Sequence, residues 1–128
     1  MKAVYATGTN YDDPLSVLEV GTMPEPETKP FWSTIRVNSA SVNHHDVWSL
    51  QGVGLSDEQT PMILGTDAAG VLEEDIPVRK GLKAGSEVVL YTFVGTDGAG
   101  VMPGERRSIL SERYAGTMAE YTQVDRKS

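Results

Sequence analysis

"FWSTIRVNSASVNHHDVWSLQG", residues 31–52, changes its period halfway along. Residues 31–42 alternate, with Ile35 and Val37 on one face and Thr34, Arg36 and Asn38 on the other, the two-residue repeat of a long strand. At Asn43 the alternation stops. Asn43 is a favoured N-cap, and Asp46 stands three residues on, where a carboxylate can reach back to the cap's own N–H. Val47, Trp48 and Leu50 supply apolar bulk, and Gly52 supplies a stop. The stretch predicts a long strand that runs directly into one short helix of about two or three turns.

The flanking sequence extends the pattern. Residues 2–6 and 15–20 read as short strands around the turn "NYDDP". Residues 21–30 hold Pro24, Pro26 and Pro30, which rule out a regular ladder and predict a stiff spacer. Residues 61–74 begin with a short apolar run and continue as a glycine-interrupted strand. Residues 83–93 read as a turn and a strand, residues 94–116 as a polar, glycine-rich stretch, and residues 117–124 as a closing strand. The expected fold is mainly β, a sandwich or barrel of about six to eight short strands with one or two short helices. "GTDAAG" (residues 65–70) and "GTDGAG" (residues 95–100) differ at one position, but two copies do not make a repeat protein, and the echo reads as coincidence.

Composition excludes several classes. With 128 residues, 39% hydrophobic and 23% charged, the chain is long and apolar enough for one globular domain spanning residues 1–128. The net charge of -7 and the lack of a basic patch argue against nucleic acid as a partner. No apolar run approaches bilayer length, and the N-terminus lacks the apolar stretch of a signal peptide, so no membrane partner and a cytoplasmic location are expected. Zero cysteines exclude a disulfide framework and a thiolate zinc site.

The chemistry-bearing residues are few. His44 and His45 are the only histidines, and they are adjacent. On a strand they would point to opposite faces, and on a helix they would diverge by about 100°, so both cannot easily reach one ion. Asp46 and Asp67 are the nearest carboxylates, at no recognised ligand spacing, so no metal is expected. "GTDGAGVMPG" has Pro103 where a dinucleotide-binding fingerprint needs its third glycine, and it reads as a surface loop. Ser41 lies near the histidines in sequence only, which does not make a triad. By pattern alone "NHHD" is a helix start, or else the wall of a polar cleft in which a histidine moves a proton.

"ASVNHHDVWSLQG", "PMILGTDAAGVLEE", "GLKAGSEVVL" and "GTMAEYTQV", in this order, resemble the N-terminal half of the medium-chain dehydrogenase/reductases, the alcohol dehydrogenase and quinone oxidoreductase superfamily. The resemblance covers nearly the whole chain and implies a GroES-like, partly open β-barrel. In zinc-dependent members a cysteine matches Asn43 and a "GHE" triplet matches residues 65–67, so here Asn43, Thr66 and Asp67 stand at catalytic-zinc positions. The family's structural-zinc cysteines have no counterpart in residues 94–116. The resemblance therefore implies the zinc-independent, quinone-oxidoreductase-like branch. It further implies that Asn43, His44 and His45 face NAD or NADP, and that Trp48, Thr66 and Asp67 line the substrate cleft. His45 matches the Ser or Thr of the family's proton relay and is the candidate catalytic residue. Trp48 falls where that relay has a second histidine.

Family members continue into a Rossmann domain, so the expectation is a piece of a longer oxidoreductase for a carbonyl, enone or quinone. By itself it would bind no cofactor tightly. The competing expectation is a stand-alone, non-catalytic β-barrel that binds a partner or assembles. A domain shaped to meet another keeps an apolar face, and Trp48, Val53, Leu55 and Met62 are the expected patch for self-association into a homo-oligomer.

Overall fold

The computed structural model describes residues 1–77, 81–95 and 108–126. In chain order these hold β1 (Lys2–Ala6), β2 (Leu18–Thr22), β3 (Trp32–Ala40), α1 (His44–Leu50), β4 (Met62–Ile63), β5 (Ala68–Leu72), β6 (Glu87–Val89), β7 (Phe93–Val94), β8 (Ser108–Ile109) and β9 (Tyr121–Asp125). Short 3-10 turns cover Pro14–Val17 and Asp57–Gln59. The strands form antiparallel sheets in the orders β2-β1-β4, β6-β5-β3-β9 and β7-β8, which do not close on one another. The result is a partly open barrel with one α-helix among the described residues. Among the described residues no helix is long and apolar enough to cross a membrane.

The hub is β3, which pairs with β5 on one side and β9 on the other. Its alternation sends Ile35, 1% exposed, into a core with Ala68, Leu72, Ile76 and Leu90. The β3–β5 register slips between Val37 and Ser39, a bulge that bends the strand just before it delivers the chain to α1. A second core of Ala6, Leu50, Leu55, Met62 and Leu64 joins the β1 sheet to the inner face of α1.

Four sequence expectations change. Residues 15–20 are not one strand: Pro14 fixes the first residue of a 3-10 turn, Ser16 N–H reaches Asp13 O (3.1 Å), and the strand starts at Leu18. It takes Gly21 and Thr22 from the spacer. Residues 61–74 are two strands in different sheets, because the chain turns at Gly65 with φ +97°, a conformation a side chain resists. Residues 117–124 form a strand only from Tyr121. Before it, Met118 lies against the β1 sheet, donating to Leu64 O (2.9 Å) just after β4 and accepting from Val4 N–H of β1 (2.8 Å). The stretch read as wholly polar loop contains β8, while residues 96–107, including the second "GTDGAG" copy beyond Gly95 and Pro103, lie outside the described residues.

The expected apolar patch is also corrected. Leu55 and Met62 are 2% and 8% exposed and belong to the core, because the turn after α1 folds back under it. Only Trp48 and Val53 stay half-exposed, at 48% and 54%.

Candidate functional site

The site is built where β3 ends. Asn43, extended at φ -118° and ψ 159°, caps α1, and the expected capping box is formed. Its N–H donates to Asp46 Oδ2 (2.8 Å). The other oxygen of Asp46 accepts the Gly65 N–H (3.0 Å) in a buried position. One carboxyl group thus ties the start of the helix to the turn between β4 and β5.

That tie brings residues 66 and 67 alongside Asn43. The Asn43 amide nitrogen donates to Thr66 Oγ1 (3.3 Å) and to Asp67 Oδ2 (3.1 Å). Ser41 takes the other carboxylate oxygen, Asp67 Oδ1, with its hydroxyl (2.6 Å) and its N–H (3.2 Å). Hydroxyls anchor the carbonyls: Thr117 Oγ1 donates to Asp67 O (2.7 Å) and Thr92 Oγ1 to Thr66 O. Thr66 is buried, and Asp67 is partly open to a cleft of about 360 Å³ walled by Ser39, Ala40, Ala68, Ala69 and Val89.

The hydrogen bond from the Ser41 hydroxyl chiefly holds the Asp67 carboxyl below its ordinary 3.8, against the opposing effect of partial burial and with help from Asn43 and backbone N–H groups. Because the folded value lies below the unfolded one, this stabilisation is complete above pH 3.8 and is lost as pH falls through the lower folded value. The stability gap between wild type and Asp67→Asn, from urea melts, is therefore expected to be constant near neutrality and to shrink in acid below the ordinary carboxyl range. A gap unchanged down to the acid limit of folding would contradict it.

The two histidines part, as adjacent helical residues must. His44 is exposed and its ring meets Trp48 (centroids 4.9 Å apart, 60° between planes). His45 turns inward: Nε2 lies 3.1 Å from Glu112 Oε1 and Nδ1 lies 3.5 Å from Ser49 Oγ. The order Ser49, His45, Glu112 imitates a hydrolase triad, but Ser49 is 0% exposed, so its hydroxyl cannot meet a substrate. The six sequence-named residues thus fall into three groups. Asn43, Thr66 and Asp67 are bonded together, the rings of His44 and Trp48 meet at a tilt on α1, and His45 faces Glu112.

Sequence reasoning missed Ser41 as a partner of Asp67, Gly65 as a partner of Asp46, and Glu112. The Ser41 contact was within reach, since Ser41 lies between the end of β3 and Asn43. Glu112 is 67 residues from His45, and no local pattern signals it.

The donor set bears on zinc. Asn43, Thr66 and Asp67 offer an amide, a hydroxyl and one carboxylate whose two oxygens are already hydrogen-bonded, with no thiolate or imidazole. These residues do not fit a zinc ion. Among the described residues no group of three or more His, Asp or Glu side chains is gathered to hold a metal.

A bulged hub strand feeds a capped helix, and the sheets around it make a partly open barrel of the GroES-like kind. Residues 29–128 match the alcohol dehydrogenase GroES-like domain, and the chain belongs to that family, within the medium-chain dehydrogenase/reductase superfamily. It is 31% identical over 109 residues to the dehydrogenase orsE of Emericella nidulans, covering 78% of this chain and 31% of that protein. Among solved structures it is similar to an NAD-dependent alcohol dehydrogenase (34% identity, TM-score 0.79, 98% of this chain and 37% of that one). It is also similar to a thermostable alcohol dehydrogenase from Pyrobaculum aerophilum solved with cobalt and zinc bound (27% identity, TM-score 0.79, 98% and 39%). The chain spans about a third of the length of these relatives.

Proposed function

We propose that this chain is the substrate-side domain of an NAD- or NADP-dependent oxidoreductase that works without catalytic zinc. The observation that carries the zinc-free reading is the Asn43 amide bridging Thr66 and Asp67 where zinc-dependent members place metal ligands. Membership of a dehydrogenase family supports the oxidoreductase part. When bound, the nicotinamide supplies hydride to, or takes it from, a carbonyl, enone or quinone carbon. The chain carries no fingerprint loop for the cofactor's phosphates, so it supplies one wall of the cleft, and a Rossmann partner domain holds the nucleotide.

The proposed roles follow the family resemblance; of the six residues, Asp67 lines the described cleft. Asn43, His44 and His45 face the cofactor side of the cleft. Trp48 gives a half-exposed aromatic surface and, with Thr66 and Asp67, borders the small-molecule substrate. Asp67, fixed by Ser41 and Asn43, is a constant negative charge that orients donor groups of the substrate. His45 holds or moves the proton that accompanies hydride transfer. The natural gene product should therefore oxidise NADH or NADPH with at least one member of a carbonyl, enone and quinone panel, followed by nicotinamide absorbance. No oxidation with any class would overturn the reading and favour a non-catalytic barrel.

A further inference from the structure

The geometry points to Glu112 as the positioning residue of His45, a role that rests on the reading of His45 as the proton carrier. Three observations converge on Glu112. Its carboxylate meets His45 Nε2 at 3.1 Å, with the two side chains only 27% and 20% exposed. The backbone immediately before it is strained: Ser111 is left-handed at φ 73°, fully buried, and its hydroxyl has no hydrogen-bond partner. Across from it, Gly54 at φ +77° leaves room that a side chain would remove, since a Cβ there would lie 2.6 Å from Glu112 Oε1. The carboxylate thus meets the imidazole beside a left-handed Ser111 and across from a Gly54 whose φ of +77° disfavours a side chain.

The consequence is a fixed tautomer. A carboxylate only accepts, so Nε2 of His45 carries the proton. In the neutral ring Nδ1 is then bare and accepts the hydroxyl of the buried Ser49 one helical turn on. Both nitrogens are engaged in this arrangement, the ring plane is set by groups from α1 and from the turn after β8, and proton transfer to a substrate requires Nε2 to leave Glu112. Glu112 does not touch Asn43, Thr66 or Asp67 in any described contact; it acts through His45.

Two-bond proton–nitrogen correlation spectra of the intact chain test this directly. There are only two imidazoles, and His44→Gln assigns them. Wild type should show His45 as a single Nε2–H tautomer, with that proton exchanging with solvent about tenfold or more slowly than in Glu112→Ala, the scale of one hydrogen bond to a charged group. Glu112→Gln, which keeps an accepting oxygen, should restore the slow exchange. Gly54→Ala, whose Cβ would crowd Glu112 Oε1, should speed the exchange towards that of Glu112→Ala. Rapid exchange or averaged tautomers in wild type would overturn the assignment, whether or not the variants fold, and so would Glu112→Ala indistinguishable from wild type. These spectra require no turnover, so failure of the oxidoreductase reading and failure of the Glu112 assignment are seen separately.

Discussion

Gly116→Ala should lower the stability of this domain by about 3 kcal/mol or more, a large part of what a small domain possesses. A Cβ at Gly116 would lie 2.3 Å from Leu64 O and 2.5 Å from Gly65 O. Both are backbone atoms of the segment that bridges the two sheets, so neither can swing aside. The same crossing carries the bonds from Gly116 N–H to Ile63 O (2.9 Å) and from Met118 N–H to Leu64 O (2.9 Å), and any shift breaks them together. Gly8→Ala is the control: its Cβ would meet nothing closer than 3.5 Å, and its cost should stay within about 0.5 kcal/mol. Urea unfolding midpoints at constant m measure both. A Gly116→Ala cost near that of Gly8→Ala would show that the crossing is looser than described.

Asp46→Ala should cost about 3 kcal/mol as well, for an electrostatic reason rather than a steric one. Asp46 is 4% exposed and accepts two backbone N–H groups, from Asn43 and Gly65. Removing it leaves both donors without a partner at a place water reaches poorly, at about 1–3 kcal/mol per buried group, tempered by local relaxation. It also releases the start of α1 from the β4–β5 turn, so the Asn43 amide should lose its contacts with Thr66 and Asp67. Asp46→Asn keeps one accepting oxygen and should recover part of the loss. A cost under about 1 kcal/mol for Asp46→Ala would reduce Asp46 to an ordinary surface cap.

Asp46 also shows where the sequence was readable and where it was not. Its capping of Asn43 was legible, because a cap and its box lie within four residues and depend on side-chain chemistry alone. Its bond to Gly65 was not, because it spans 19 residues and depends on how two sheets meet. The same division runs through the fold. The alternation of residues 31–42 gave β3 nearly whole, since Ile35 and the residues around it must sort between core and solvent. The break at Gly65 was hidden at the end of a short apolar run that was read on into a glycine-interrupted strand, where a glycine in a strand and a glycine at a turn look alike. Leu55 and Met62 were misplaced on the surface because the turn that buries them carries no period of its own. At the site, spacing alone left "NHHD" as a helix start. The link from Asn43 to Thr66 and Asp67 entered through family resemblance, and the coordinates put those side chains within hydrogen-bonding distance.

The central proposal is that Asn43, Thr66 and Asp67 form a hydrogen-bonded polar cluster that holds no catalytic zinc. Elemental analysis tests it most directly, on protein purified without a histidine tag, incubated with excess zinc and then desalted. The account predicts zinc far below stoichiometric, since the Asp67 carboxylate is committed to Ser41 and Asn43 and the neighbouring donors are an amide and a hydroxyl. Stoichiometric zinc that is lost in Asp67→Asn would contradict it.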